Sequence, residues 1–401
     1  MAPPSSATGY SCSPLSTTCP ARWWPRAPGN PGPRVNIETP AAVVDVSILD
    51  RNITSWAAQL GARAVGVRPH TKTTKCAEII RRQVSAGAVG LTAATIGEVE
   101  ALADSGFDHL FHAYPVWAGT PERSRRIRTL HERCNLMVGV ESVESATALA
   151  SAVSGASHPL AVVLEVDCGM LRSGVAPDAI APLARACQDL GLDIRGAFTY
   201  GGHAYANCDA PAAAGDDEVH ALAAAASTLR DEGVDVRVLS AGSTPTARRS
   251  ARPPVTDERP GTYVFMDRQQ LALGAGTLKD VSLYVLTTVV ASHADGRFVL
   301  DAGSKVLSTD KPAWLEGFGF LPAYPAATVD RLSEHHAVVS ANGQRPRVGE
   351  VVALVPNHCC VVVNLTDSLV AADRFDPLDD DLLGAVCDHE RWGLISRGSN
   401  T

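Results

Sequence analysis

From Pro40 onward, short β-branched apolar runs alternate with longer Ala-rich stretches whose apolar residues recur at helical spacing. That rhythm is the pattern of parallel β/α units. The runs AVVDVSI, AVGVRPH, AVGLTAA, HLFHAYPV, NLMVGVE, LAVVLEVD, IRGAFTY, VRVLSAG and TYVFMD predict strands. Stretches such as CAEIIRRQVSAG, IGEVEALADSG, AIAPLARACQDLG and VHALAAAASTLRDEG predict helices. Each ends in Gly, as helix C-termini often do. With AVVDVSI set aside, eight strands remain between Ala64 and Asp267, the number and length of a TIM-type (β/α)8 barrel. A doubly wound sheet is the alternative, but no GxGxxG follows a strand. After Arg268 the pattern changes to antiparallel strands (VSLYVLTTVVAS, RFVLDAGSKVL, EVVALVP, CCVVVNL, SLVAADRF) separated by Gly, Asp and Pro turns, and DDDLLGAVCDHERWG predicts a short terminal helix. The expected divisions are an extension at 1–34, a barrel at 35–267 and an antiparallel β domain at 268–401, with AVVDVSI donated to the β domain.

Composition narrows the function classes. Hydrophobic residues at 45% and charged residues at 19% describe a globular chain, and a net charge of -8 argues against nucleic-acid and anionic-membrane partners. No apolar run reaches spanning length, and the Pro-, Ser- and Arg-rich N-terminus lacks the apolar core of a signal peptide. That extension reads as disordered, with Cys12, Cys19, Trp23 and Trp24 the only hint of a docking element. Ten cysteines spread over 401 residues, most of them alone in apolar segments, read as reduced thiols of a cytoplasmic protein.

In a barrel, the C-terminal strand ends form the active face. Reading those ends in order gives RPHTKTTK, TAATIGE, HAYP, EVDCGMLRSG, TYGGHAY, SAGSTPT and MDR. Lys72 and Lys75 each offer an amine that partial desolvation would make nucleophilic. Gly242, Ser243 and Thr244 offer backbone N–H groups and hydroxyls where barrels commonly bind phosphate. Arg172 stands just past a strand end, where it could meet a cofactor or pair with Asp167. Tyr200, His203 and Tyr205 surround two glycines that admit close approach of a ligand, with His203 a candidate general base. Tyr263 and Asp267 close the last expected strand. A lysine, a phosphate cup, an arginine and aromatic residues on a barrel rim suit pyridoxal phosphate.

These motifs resemble, in the same order from Val35 to the C-terminus, the D-threonine aldolase and eukaryotic-type D-serine dehydratase family of fold-type III pyridoxal-phosphate enzymes. RPHTKTTK is similar to the family's lysine motif, and GSTPT, RPGTYVFMD, DAGSKVLS and PNHCC follow it. The resemblance implies an alanine-racemase-like barrel with a C-terminal β domain, paired head to tail as a homodimer. It makes Lys72 the Schiff-base lysine and Gly242, Ser243 and Thr244 the phosphate cup. His70, Arg172, Tyr200 and Tyr263 become cofactor contacts. Thr74 stands where the family usually has a second histidine.

The stretch VPNHCCVVVN carries the other half of the chemistry. If it is a strand, residues two apart share a face, so His358 and Cys360 can hold one ion while Cys359 points away. Two protein ligands leave positions for water and substrate, as a catalytic metal requires. In the family, His-x-Cys looks like the zinc dehydratases and His-x-Asp like the aldolases. A thiolate favours Zn²⁺, whereas a carboxylate also suits Mn²⁺ or Mg²⁺. The expected activity is therefore zinc-assisted dehydration of a β-hydroxy D-amino acid of the D-serine type to a keto acid and ammonia, with D-threo-3-hydroxyaspartate the competing substrate. The rivals are retro-aldol cleavage to glycine and an aldehyde, metal-free racemisation, and a silent cofactor-binding protein. His335, His336 and His389 fall in no motif and read as surface or structural residues.

Overall fold

The computed structural model describes residues 37–386 and 390–401, all within one contact unit, Val35–Thr401. The readings for residues 1–34, for Cys387 and for His389 lie outside the described residues. The first strand, β1 (Ala41–Asp45), does not enter the barrel. The Asp45 carboxylate then accepts the Ile48 N–H at 2.9 Å and starts helix α1 (Val46–Gly61), so the VSI of the expected first strand is helical.

Eight strands follow: β2 (Gly66–Val67), β3 (Leu91–Ala93), β4 (His109–His112), β5 (Asn135–Val140), β6 (Ala161–Glu165), β7 (Asp193–Phe198), β8 (Val238–Ala241) and β9 (Asp257–Glu258). They pair in parallel in the order β2-β9-β8-β7-β6-β5-β4-β3. A parallel bridge between His70 and Thr92 joins the two ends, closing the barrel. Helices α2 (Ala77–Ser85), α3 (Ile96–Asp104), α4 (Pro121–Arg133), α5 (Val143–Ala152), α6 (Ala181–Asp189) and α7 (Ala210–Asp231) return the chain along the outside, and α8 (Ala247–Ser250) is a single turn. Thr95, Thr120 and Ser142 cap α3, α4 and α5 through their hydroxyls. Along β4 to β7, Leu110, Val138, Val162, Leu164 and Ala197 join the main core under the helices, whereas the alternate positions Phe111, Val163 and Phe198 form a small cluster inside the barrel.

The β domain is built on the ten-residue β10 (Leu283–Ser292), and α9 (Arg268–Ala272) leads into it. The remaining strands are β11 (Arg297–Leu300), β12 (Thr328–Leu332), β13 (Ala337–Ser340), β14 (Val351–Leu354), β15 (Ser368–Ala372) and β16 (Glu390–Gly393). The sheet runs β12-β13-β11-β10-β1-β15-β16, with β14 also on β10. Val285 and Leu286 pair with β1 and with β14, so those two strands flank β10 on opposite edges. The donated first strand is thus a central member of this sheet.

Four expected elements differ. The eighth barrel strand is Asp257–Glu258, not TYVFMD: Thr262–Val264 forms a 3-10 turn, and Met266 is left-handed at φ +52°. CCVVVNL is a helix, α11 (Cys359–Leu365), because burial of its apolar side overrides the strand preference of three valines. RFVLDAGSKVL is a strand only to Leu300, and Ser304–Leu307 is a helical turn, α10. The expected terminal helix contains a 3-10 turn, Gly384–Val386, and the strand β16, whose Trp392 is buried beside Leu369. Among the described residues no helix is long and apolar enough to cross a membrane.

His112 ends β4 at 2% exposure, where burial pushes its imidazole down to about 4. The unfolded value is about 6.5, so the folded chain binds fewer protons between those limits and loses stability as pH falls through them, by up to ~3 kcal/mol. His112→Gln should flatten that part of a urea-unfolding profile against pH; a profile as steep as the wild type would contradict this.

Candidate active site

The turn after β2 separates its two lysines. Thr71 is held to the Thr92 carbonyl by its N–H at 2.8 Å and by its hydroxyl at 2.9 Å. Lys75, left-handed at φ +46°, is buried, with Nζ 3.2 Å from Glu98 Oε1 and 3.2 Å from the Ser396 carbonyl. The other Glu98 oxygen accepts the Ala94 N–H at 2.8 Å. Lys72 stands exposed on the same turn and makes no ion pair among the described residues. Of the two amines, Lys72 is the one free to react.

Around Lys72 the strand ends converge. Burial, then the charges of Lys72 and Arg259, push His70 well below its ordinary value, with His112 and Arg172 adding to the effect. Its Nδ1 is buried without a hydrogen-bonding partner. The Arg172 guanidinium carbon lies 4.9 Å over the Tyr200 ring. Asp167 instead accepts the Gly169 and Leu171 N–H groups at 3.0 and 3.1 Å. Burial pushes the Tyr200 hydroxyl up to about 12, opposed by Arg172 and assisted by Glu218 and Cys360. His203, a quarter exposed, places Nε2 3.0 Å from Asp217. Tyr205 takes the Trp314 indole N–H on its carbonyl at 3.0 Å, bringing the β domain to the rim.

The segment after β8 fits a phosphate. Gly242 is left-handed at φ +94°, a conformation that favours glycine. Ser243 N–H donates to the Thr246 hydroxyl at 3.0 Å, which tightens the turn. Thr244 Oγ1 is buried with no hydrogen-bonding partner, a costly arrangement that a ligand oxygen would relieve. Tyr263 is not brought to this group. Its ring packs 5.3 Å from Trp56 of α1, and its hydroxyl accepts Gln83 of α2 at 2.9 Å.

His358 and Cys360 do meet, though not by strand alternation. His358 is the N-cap residue of α11, and Cys360 lies in its first turn. Cys360 Sγ is 3.2 Å from Thr73 Oγ1, one residue beyond Lys72. Hydrogen bonding from Cys359 holds the Cys360 thiol well below its usual value against the cost of burial, with help from His358 and Thr73. Burial opposes charge on His358, but the Cys360 thiolate and Asp310 push it up to about 11. Asp310 binds His358 Nδ1 at 2.5 Å, which orients the ring as carboxylates hydrogen-bonded to metal-binding imidazoles do. Cys359 is buried, and burial raises its thiol. Among the described residues no group of three or more His, Cys, Asp or Glu is gathered that could hold a metal. A soft thiolate and one imidazole would thus supply two positions and leave the others open.

Sequence reasoning missed Arg259, Thr73 and Asp310. Arg259 is buried beside His70, with Nη1 2.6 Å from Ser240 Oγ, and lies over the Phe111 and Phe198 rings. Its signal was ERPG directly after a strand, hidden because the strand was assigned one segment later. Asp310 sits in an irregular loop and no local pattern announces it.

An exposed amine on one strand-end turn, an orphan hydroxyl on another and a cysteine sulfur against the first suit an enzyme that takes its electron sink from a cofactor. The comparisons agree. Residues 44–269 match the family model described as alanine racemase, N-terminal domain, and residues 282–372 match a putative serine dehydratase domain. D-threo-3-hydroxyaspartate dehydratase of Delftia sp. (strain HT23) is 31% identical, over 81% of this chain and 92% of its own. D-threonine aldolase of Arthrobacter sp is 31% identical over 86% and 91%. D-serine dehydratase of Dictyostelium discoideum is 24% identical over 89% and 98%. The solved Delftia structure superposes with a TM-score of 0.81 at 28% identity, covering 89% of this chain and 97% of that one. A cysteine-to-alanine mutant of D-threo-3-hydroxyaspartate dehydratase has been solved in a metal-free form. The chain belongs to this family of alanine-racemase-like, pyridoxal-phosphate-dependent lyases that carry a serine dehydratase domain.

The two lysines should separate in the laboratory. Lys75→Met strands a buried Glu98 and should cost ~3 kcal/mol in urea unfolding, whereas Lys72→Ala, at an exposed position, should stay within about 0.5 kcal/mol. Equal losses would contradict the assignment of Lys75 as the anchor and Lys72 as the free amine.

Proposed function

We propose that the chain is a pyridoxal-phosphate- and zinc-dependent lyase that dehydrates a β-hydroxy D-amino acid of the D-serine type to a keto acid and ammonia. The observation that carries this reading is the Cys360 sulfur 3.2 Å from Thr73 Oγ1, which supports a soft metal ligand against the turn that presents Lys72. The cofactor, when bound, withdraws electrons from the substrate's Cα, and zinc supplies a Lewis acid for the β-hydroxyl.

The chain's own residues do the rest. Lys72, exposed and without a salt bridge among the described residues, would hold the cofactor through its amine and is the group placed to move the Cα proton. Gly242, Ser243 and Thr244 receive the phosphate, with the orphan Thr244 hydroxyl as one donor. His70 and Arg172 line the same mouth, and Tyr200 carries the guanidinium of Arg172 on its face. His358 and Cys360 hold zinc, with Asp310 fixing the imidazole. His203, hydrogen-bonded to Asp217, is the second candidate general base. The proposed working form is a cytoplasmic head-to-tail homodimer, as the family resemblance implies.

Purified enzyme with both cofactors should convert D-serine or D-threo-3-hydroxyaspartate to a keto acid and ammonia, read by coupled ammonia release and product chromatography. Glycine and an aldehyde from D-threonine, without keto acid, would establish the aldolase reading instead. Activity that survives chelation would favour racemisation. Cys360→Ala should lose zinc and at least about 100-fold in rate, whereas Cys359→Ala should keep both. Equal behaviour of the two would contradict the assignment of Cys360 as the ligand.

A further inference from the structure

Two carboxyl groups take no part in the chemistry above, yet both reach the glycine that opens the phosphate turn. Glu218 comes from α7 and Glu258 from β9, and neither is exposed to solvent. Glu218 Oε1 accepts the Gly201 N–H at 2.7 Å and the Gly242 N–H at 3.2 Å. Glu258 approaches the same residue so closely that a Cβ on Gly242 would fall 1.7 Å from its Oε2. Its other oxygen takes the Ser250 hydroxyl at 2.8 Å. The Oε2 atoms of both carboxyls are buried without a hydrogen-bonding partner.

Counter-charge here is scarce. Arg259 is the cation that faces both glutamates, and it is shared with Asp257 and Glu165 while donating to Ser240 Oγ. Arg68 serves Asp257 at 3.4 Å. From α7, Asp217 is engaged with His203; from α8, Arg249 pairs with Asp216, as does Arg252 just beyond it. Tyr200 and Cys168 lie nearby and are both pushed upward, so they stay neutral. Burial raises both glutamates, Glu258 well above the ordinary carboxyl range with the Glu218 charge adding to it. Two buried carboxylates meeting at one residue cannot both remain ionised cheaply.

We propose that Glu218 and Glu258 form a proton-sharing pair behind the phosphate turn, and that docking of a phosphate dianion at Gly242–Thr244 draws a further proton from solvent onto the pair. The proton goes to a carboxylate oxygen, and no bond of the phosphate group is made or broken. Cofactor capture is then proton-coupled. The pair acts as a positioning and charge-matching element that never touches the reacting atoms. This inference rests on the assignment of Gly242–Thr244 as the phosphate site.

The test is calorimetric titration of apoenzyme with pyridoxal phosphate and with pyridoxal, in buffers of different ionisation enthalpy, at about pH 8, where the free phosphate is already a dianion. Both ligands engage Lys72 alike, so their difference isolates the phosphate. Pyridoxal phosphate should take up nearly one proton more than pyridoxal, and its Kd should weaken by up to about tenfold per pH unit as pH rises. The isosteric double variant Glu218→Gln/Glu258→Gln should bind pyridoxal phosphate with no extra uptake and a flat pH profile, a change that a merely structural role would not produce. Should that variant fail to fold, the wild-type comparison decides alone. Tight binding without extra uptake, or unchanged uptake in the double variant, overturns the pair while leaving the cofactor assignment intact. Failure of the wild type to bind pyridoxal phosphate overturns both.

Discussion

One buried carboxylate, Asp267, ties the two halves of the site together. Its Oδ1 caps α9 at the Gln270 N–H, 2.8 Å away, and its Oδ2 accepts the Cys359 N–H at 3.0 Å. The chain leaving the barrel and the turn bearing His358 and Cys360 are thereby pinned to the same atoms. Neighbouring backbone bonds reinforce the join, from Arg268 N–H to Pro356 O at 3.0 Å and from Gln269 N–H to Asn357 O at 3.2 Å. Burial pushes Asp267 up to about 6, and two directed N–H groups help hold it charged against that cost. Without this clamp the thiolate would have no fixed place beside Thr73.

The same economy runs through the barrel mouth. Lys75 is sacrificed to Glu98 and the Ser396 carbonyl so that the turn carrying Lys72 is rigid while Lys72 itself stays uncommitted. Arg259 is immobilised between two phenyl rings and a serine hydroxyl, where it adds to the burial and the Lys72 charge that hold His70 low, and offsets the nearby carboxylates. Reactive groups sit on turns, and each turn is anchored by a neighbour whose own chemistry has been silenced.

Much of this was legible in the sequence. The β/α rhythm gave the barrel because most of its strands are short apolar runs between helices of period 3.6. The donated β1 stood out as one strand too many. The barrel's closing strand was missed because Asp257 and Glu258 read as a polar loop; only the fold supplies Arg68, Ser240 and Ser250, which make those carboxyls tolerable inside. The placement of Tyr263 failed for the mirror reason, since a buried apolar run looks the same whether it faces a cofactor or Trp56. Cys360 was chosen over Cys359 by a strand argument, whereas the segment is a helix start. What the structure offers in place of that argument is the first helical turn, which sets the Cys360 sulfur 3.2 Å from Thr73 Oγ1 while Cys359 is buried. Asp310 and the Glu218–Glu258 pair are long-range contacts that no local pattern encodes.

The central claim is that barrel and β domain share one site, in which a single thiolate and a single imidazole leave the metal open to substrate. X-ray absorption on the zinc- and pyridoxal-phosphate-loaded enzyme tests it most directly. The account predicts one sulfur at about 2.3 Å, one imidazole nitrogen at about 2.0 Å and the remainder oxygen. It also predicts an oxygen shell that changes on adding D-serine. A shell of two or more sulfurs, or one with four protein ligands that D-serine leaves untouched, would contradict it.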